Sequence, residues 1–212
     1  MATTGQMGTL YNAKKAASEM RKYREKGPIP STKALIDALI AEGVEGATVL
    51  DIGGGIGAVQ HELLAAGAAH VTSVEASASY LEAAREEARR RGIEDRVTYR
   101  HGDFVELAES VPPADIVTLD RVINVYPDWK RLVELSAGHA QHLHGLVCPR
   151  DTPMVRFVIL VMNMVLRLGQ EPVRAAIRSA DEIERIAREN GLAPHASQIA
   201  GPAWQVMVYR RA

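Results

Sequence analysis

The segment Val49-Leu50-Asp51-Ile52-Gly53-Gly54-Gly55-Ile56-Gly57-Ala58 constrains the fold of this chain more than any other. A short apolar run reads as a strand. It gives way at once to a glycine-rich turn and then to a helical pattern that begins near Ala58. Glycine lets a backbone turn sharply and approach a ligand closely. The following helix aims free N–H groups and partial positive charge at the anionic end of whatever sits in the turn. This step predicts an open α/β sheet with a binding notch at the end of its first strand.

The same rhythm repeats downstream. Apolar runs at 48–52, 70–74, 97–100, 114–119 and 145–149 read as strands, and helical patterns fall at 58–67, 77–91, 129–143, 153–168 and 180–190. Strands alternating with helices predict a parallel sheet covered on both faces. Two last β-type runs, 193–199 and 203–209, are joined by Gly201-Pro202, too short a link for a crossover helix, so they should pair antiparallel. The expected fold is therefore α/β: a doubly wound seven-stranded sheet, mostly parallel, with a C-terminal antiparallel hairpin. Ahead of it, residues 11–26 read as a helix stopped by Gly27-Pro28 and Pro30, and residues 32–42 as a second helix capped by Ser31. Residues 1–10 are small and polar and read as frayed. The chain thus divides into residues 1–30, a helical segment hinged at Gly27-Pro28 that either closes as a lid or packs on the core, and residues 31–212, the main domain.

Composition narrows the partners. Lys and Arg total 25 and Asp and Glu 26, so the net charge of −1 provides no field that draws nucleic acid or an anionic membrane. One cysteine, Cys148, excludes an internal disulfide framework or a multi-cysteine metal site, and is compatible with a reducing cytoplasm. The first residues lack the basic and apolar regions of a signal peptide. The most apolar run, 154–168, is interrupted by Arg156, Asn163 and Arg167 and is shorter than the roughly 20 residues of a membrane span. No membrane anchor and a cytoplasmic location are expected. A helix so apolar must be buried: in its own core or in a homodimer first, against an apolar substrate or a membrane surface otherwise.

Glu75 ends the second strand, 18 residues after Gly57. A carboxylate there suits the two hydroxyls of a ribose, which points to an adenosine cofactor; the plainer reading is that Glu75 caps the helix starting near Ser77. Two cofactors fit the turn. Gly53, Gly55 and Ala58 match G-x-G-x-x-A, as in nicotinamide sites. Asp51, Gly53, Gly55 and Gly57 match D-x-G-x-G-x-G, which resembles motif I of the class I S-adenosylmethionine-dependent methyltransferases. The resemblance covers about residues 31–212 and implies a Rossmann-like fold with S-adenosyl-L-methionine as cofactor. It implies that Asp51, Gly53, Gly55 and Gly57 form the cofactor turn and that Glu75 binds the ribose. By the same resemblance Asp103 meets the adenine amino group, Phe104 flanks the ring, and Asp120 faces the methyl donor. The chain looks most like the small-molecule enzymes of the family, with a weaker similarity to the magnesium-protoporphyrin O-methyltransferase branch in its short N-terminal helix and apolar insertion after strand five. Asn124-Val125-Tyr126-Pro127 departs from the (Asp/Asn)-Pro-Pro-Tyr loop of many amino-methylating enzymes, which lowers the weight of DNA or protein-amide substrates.

The expected activity is methyl transfer to a small, fairly apolar molecule at oxygen. Such an acceptor needs alignment and a base. The candidates are Asp120, Tyr126 and His61, against plainer roles as a turn cap, a loop former and a partly exposed helix histidine. Arg121 reads as a surface ion pair, or as a clamp on an acidic substrate. Met154, Met162 and Met164 suit a pocket for a bulky ring, with Arg150, Arg156 and Arg174 meeting its acidic groups. His139, His142 and His144 lie close in sequence, 139 and 142 on one helix face, but lack an acidic or cysteine ligand, so no metal is expected. A nicotinamide-dependent reductase is the first alternative, although no second mononucleotide half and no Tyr-x-x-x-Lys follow residue 119. A non-catalytic cofactor-binding or dimerisation module is the second.

Overall fold

The computed structural model describes residues 12–170 and 173–212. The stretch read as frayed, and Tyr11 at the expected start of the first helix, lie outside the described residues. The strands are β1 (Thr48–Ile52), β2 (His70–Glu75), β3 (Val97–His101), β4 (Ala114–Asp120), β5 (Ala140–Pro149), β6 (Leu192–Ala200) and β7 (Trp204–Arg211). They form one sheet in the order β3-β2-β1-β4-β5-β7-β6. The first five are parallel, and β7 pairs antiparallel with both β5 and β6. The Rossmann-like α/β sheet with its C-terminal hairpin is as expected.

Helices α1 (Ala13–Lys26) and α2 (Pro30–Ala41) precede the sheet, and α3 (Ala58–Ala65) and α4 (Ala78–Arg90) follow β1 and β2. A short α5 (Phe104–Leu107) follows β3, α6 (Trp129–His139) joins β4 to β5, and α7 (Pro153–Leu168) and α8 (Ala180–Glu189) lie between β5 and β6. Strand side chains alternate between faces. Leu50 and Ile52 therefore enter one core with Leu132, Val133 and Ile183 of α6 and α8. Val49 enters the other, with Leu35 and Leu39 of α2 and Leu63 of α3.

Four local expectations change. Helix α2 begins at Pro30, whose missing N–H costs nothing in a first turn, and Ser31 is buried inside that turn instead of capping it. The helix expected over 129–143 ends at His139, because Ala140 is already paired with Ala114 in the β4–β5 ladder. His142 and His144 thus sit on a strand. Helix α5 was not expected; Asp103 caps it by accepting the Val105 N–H at 2.9 Å. Helix α7 does not enter the core: Val155 is its one buried residue, and Asn163 ties it down through two hydrogen bonds with the Ala175 backbone. Among the described residues no helix is long and apolar enough to cross a membrane.

Helix α1 is fastened to the body by charge as well as by packing. It buries Ala16, Met20 and Tyr23. The Tyr23 hydroxyl donates to Glu62 at 2.6 Å and accepts from Arg91 at 2.9 Å. Arg24 of α1 joins Arg90 and Arg91 around the buried Glu87 of α4. The Arg90 hydrogen bond is the largest influence holding the Glu87 carboxyl well below the usual carboxylate range.

Replacing Glu87 with Ala should cost about 2 kcal/mol, less than for a fully buried pair because the arginines reach solvent. A carboxyl with a lowered pKa contributes stability above its unfolded pKa and loses it as pH falls. Urea denaturation should therefore find the two proteins well separated at pH 7 and closer at pH 3.

Asp51 on β1 has the opposite sign. It is fully buried, accepts the Thr118 hydroxyl at 2.7 Å, and burial pushes its carboxyl from 3.8 up to about 7. The unfolded chain gives up that proton earlier, so the stability of the native protein relative to Asp51→Asn should fall as pH rises from about 4 to about 7. The expected change is about 4 kcal/mol at roughly 1.4 kcal/mol per pH unit. A flat difference across that window, measured by the same denaturation, would contradict the raised value.

Candidate functional site

The carboxyl ends of β1, β2 and β4 border a cavity of about 240 Å³. This is the crevice where an open α/β sheet binds ligands, at the point where strand order reverses between β1 and β4. The turn after β1 forms one wall. Gly53 and Gly55 adopt φ of 65° and 56°, conformations that L side chains avoid. A Cβ on Gly53 would stand 2.6 Å from Val122 Cγ2, and one on Gly55 would fill the space before the Tyr80 ring.

Glu75 closes the adjoining wall. Its carboxylate accepts the Gly55 N–H at 2.9 Å and the Ser77 N–H at 2.7 Å. It therefore does cap the start of α4, and it also ties the glycine turn of β1 to the end of β2 while lining the cavity. Burial raises its pKa, and backbone hydrogen bonds from Ser77, Gly55 and Ala76 oppose that rise.

Asp103 takes two hydrogen bonds on Oδ1, from the Val105 N–H at 2.9 Å and the Tyr126 hydroxyl at 2.7 Å. Phe104 lies beside it, 3% exposed, and lines the cavity. Asp120 ends β4 on the opposite side. Its Oδ2 accepts the Thr32 hydroxyl at 2.6 Å, and Arg121 reaches Oδ1 at 3.3 Å. Arg121 itself has φ of 61°, and its guanidinium lies 5.9 Å from the Trp204 ring centroid. The charged side chains lining the cavity are Glu19, Glu75, Asp103 and Asp120 against Lys15 and Arg121. This acid excess suits a cationic ligand and opposes a pyrophosphate.

The geometry separates the expected residues. Gly53, Gly55, Glu75, Asp103, Phe104, Asp120 and Tyr126 converge on the cavity. Asp51 does not line it; the carboxyl lies beneath the turn, against Gly54. Gly57 likewise precedes α3 and packs on Gln60 and His61. His61 is fully buried, with Nε2 3.2 Å from the Ala84 carbonyl, and burial lowers its pKa to about 4. It is away from the cavity and cannot act as the base there. Tyr126 lines the cavity but is a poor base, because burial and the neighbouring Asp103 raise its phenol pKa far above neutrality.

The three histidines do not converge. His139 contacts the Leu135 and Ala108 carbonyls, His142 pairs with Asp115, and His144 is buried beside Ser136. Met154, Met162 and Met164 are exposed on α7 and Arg156 pairs with Asp151, so the proposed ring pocket does not form there. Sequence reasoning missed Thr32, Tyr80 and the α1 residues Lys15 and Glu19. Only the order of elements brings these to the notch, and no local motif marks them.

Comparison with known proteins agrees with this geometry. The family model for a methyltransferase domain matches residues 49–143, which span the turn, Glu75, Asp103 and Asp120. The ribosomal protein L11 methyltransferase of Alteromonas mediterranea is 35% identical over 123 residues, 55% of this chain and 42% of that protein. The chain thus spans less than half the length of this curated relative. The magnesium protoporphyrin IX methyltransferase of Synechocystis PCC 6803, crystallised with bound SAH, superposes with a TM-score of 0.72 at 20% identity, over 85% of this chain and 82% of that one. The mitomycin 7-O-methyltransferase gives 0.64 at 26% identity, over 84% and 53%. The matched methyltransferase domain spans the glycine turn and the strand ends that border the cavity, and the fold is that of solved S-adenosylmethionine-dependent methyltransferases, to which this chain is similar.

Proposed function

We propose that the protein binds S-adenosyl-L-methionine and transfers its methyl group to a small, fairly apolar molecule, at oxygen. The observation that carries this reading is the buried Glu75 carboxylate on an acid-rich cavity, with the Gly55 N–H already taken by Glu75 instead of free for a phosphate. That arrangement disfavours the nicotinamide alternative, whose pyrophosphate would face four carboxylates. The residues present fit the cofactor: Glu75 for the ribose hydroxyls, Asp103 and Phe104 for the adenine, and Asp120 for the cationic end.

When bound, the cofactor supplies an electrophilic methyl on a sulfonium whose charge disappears during transfer. The chain's part is to hold the reactants in line and keep water out. Ile52, Val74, Val122 and Leu132 provide apolar lining. Helix α1 contributes Lys15 and Glu19 as a wall. The network on Tyr23 and Arg24 favours a fixed wall over a mobile lid. Asp120 is the remaining base candidate, with the Thr32 hydroxyl orienting its carboxylate. Mitomycin 7-O-methyltransferase among the structural relatives supports an oxygen acceptor, and the near-zero net charge supports a small molecule over a nucleic acid. The buried free thiol of Cys148 is consistent with the cytoplasm.

Titration calorimetry with S-adenosylhomocysteine and with NADH separates the readings. The first should bind and the second should not; tight NADH binding alone would overturn the proposal. Glu75→Ala should weaken S-adenosylhomocysteine by about 5- to 150-fold, a loss of about 1–3 kcal/mol. Unchanged affinity would leave Glu75 a helix cap only.

A further inference from the structure

Helix α7 turns a regular apolar stripe toward solvent. Phe157 is 65% exposed, Val165 60% and Leu168 80%. The opposite side is occupied, because Val155 is buried and Asn163 is bonded to Ala175. At 3.6 residues per turn these two point away from the stripe. Met154, Phe157, Val161, Met164 and Leu168 follow one another at steps of 3, 4, 3 and 4, with Val158 and Val165 alongside. That is the seven-residue period of a helix-to-helix seam, with its apolar positions unbroken by charge.

The amount of surface is too large for an isolated monomer. At ordinary side-chain areas the exposed apolar face comes to roughly 700–900 Å², against about 300–600 Å² for the largest patch on a typical monomer and about 800 Å² per partner in a stable complex. Charge argues against a membrane as the cover. Arg156 is held by Asp151, and Arg167 is the only other cation on the helix, fewer than the run of basic residues that an anchor on anionic lipid carries. An uncharged stripe is complementary to itself, as a two-fold interface requires.

We propose that α7 is a dimerisation helix, and that a second copy of this chain lays its own α7 along the stripe across a two-fold axis. Val161 sits at the midpoint of the stripe and meets its own counterpart whether the helices run parallel or antiparallel. The inference is independent of the cofactor and of the acceptor.

Analytical ultracentrifugation of the full chain over about 1–50 μM tests it. The native protein should sediment at twice the chain mass. Val161→Glu and Val161→Lys should each be monomeric, with unchanged far-UV circular dichroism because the position is at the surface of the protomer, and an equimolar mixture of the two should recover the dimer. A native protein that stays monomeric over this range overturns the proposal. So does either variant dimerising like the native chain, or a mixture that fails to recover. A monomeric native protein that floats with phosphatidylglycerol–phosphatidylcholine vesicles would assign the stripe to lipid instead.

Discussion

The Glu75 carboxylate receives N–H groups from two separate turns, one after β1 and one at the start of α4. Beyond the last ladder bond, from the Gly53 N–H to the Val74 carbonyl, this group ties the glycine turn to the end of β2, and the shape of the notch depends on that tie. A carboxylate in such a place is costly to bury, and the two N–H donors offset part of the cost. The glycines make the arrangement feasible, because Gly55 presents its N–H from a left-handed conformation that glycine adopts freely. A ligand that brings hydroxyl donors adds to what Glu75 already does without displacing the turn.

The remainder of the site is acidic, and the acids differ in how they are held. Asp103 is fixed by a cap and by Tyr126, and Asp120 by Thr32 and Arg121. Each therefore has an orientation set by the fold before any ligand arrives. Preorganised carboxylates suit a cationic ligand, and the apolar walls between them suit a reaction in which that charge vanishes. The same economy explains the N-terminal helix. It is pinned over the rim by Glu87 and its arginines, far from the cofactor turn in sequence but beside it in space.

Much of this was legible in the chain. The strand–glycine–helix step and the alternation after it specify the sheet, because a strand period of two and a helix period near 3.6 leave different marks. Glu75 and Asp120 were legible as acids at strand ends, where such sheets carry their chemistry, and Asp103 through the resemblance of the segment after β3 to the family's. What was not legible had long-range causes. Asp51 and His61 belong to the motif region but face into protein, and only the packing of β4 and α4 decides that. The β5 boundary depended on a ladder with β4 and not on local propensity. The apolar α7 was read as a buried helix, and its exposure depends on Asn163 anchoring the other side.

The most direct test of the cofactor notch is a crystal structure with S-adenosylhomocysteine. The account predicts adenosine at the tips of β1 and β2, with both ribose hydroxyls within hydrogen-bonding distance of Glu75 and the adenine beside Phe104. Density for the ligand elsewhere, or a ribose that leaves Glu75 bonded only to Gly55 and Ser77, would contradict it.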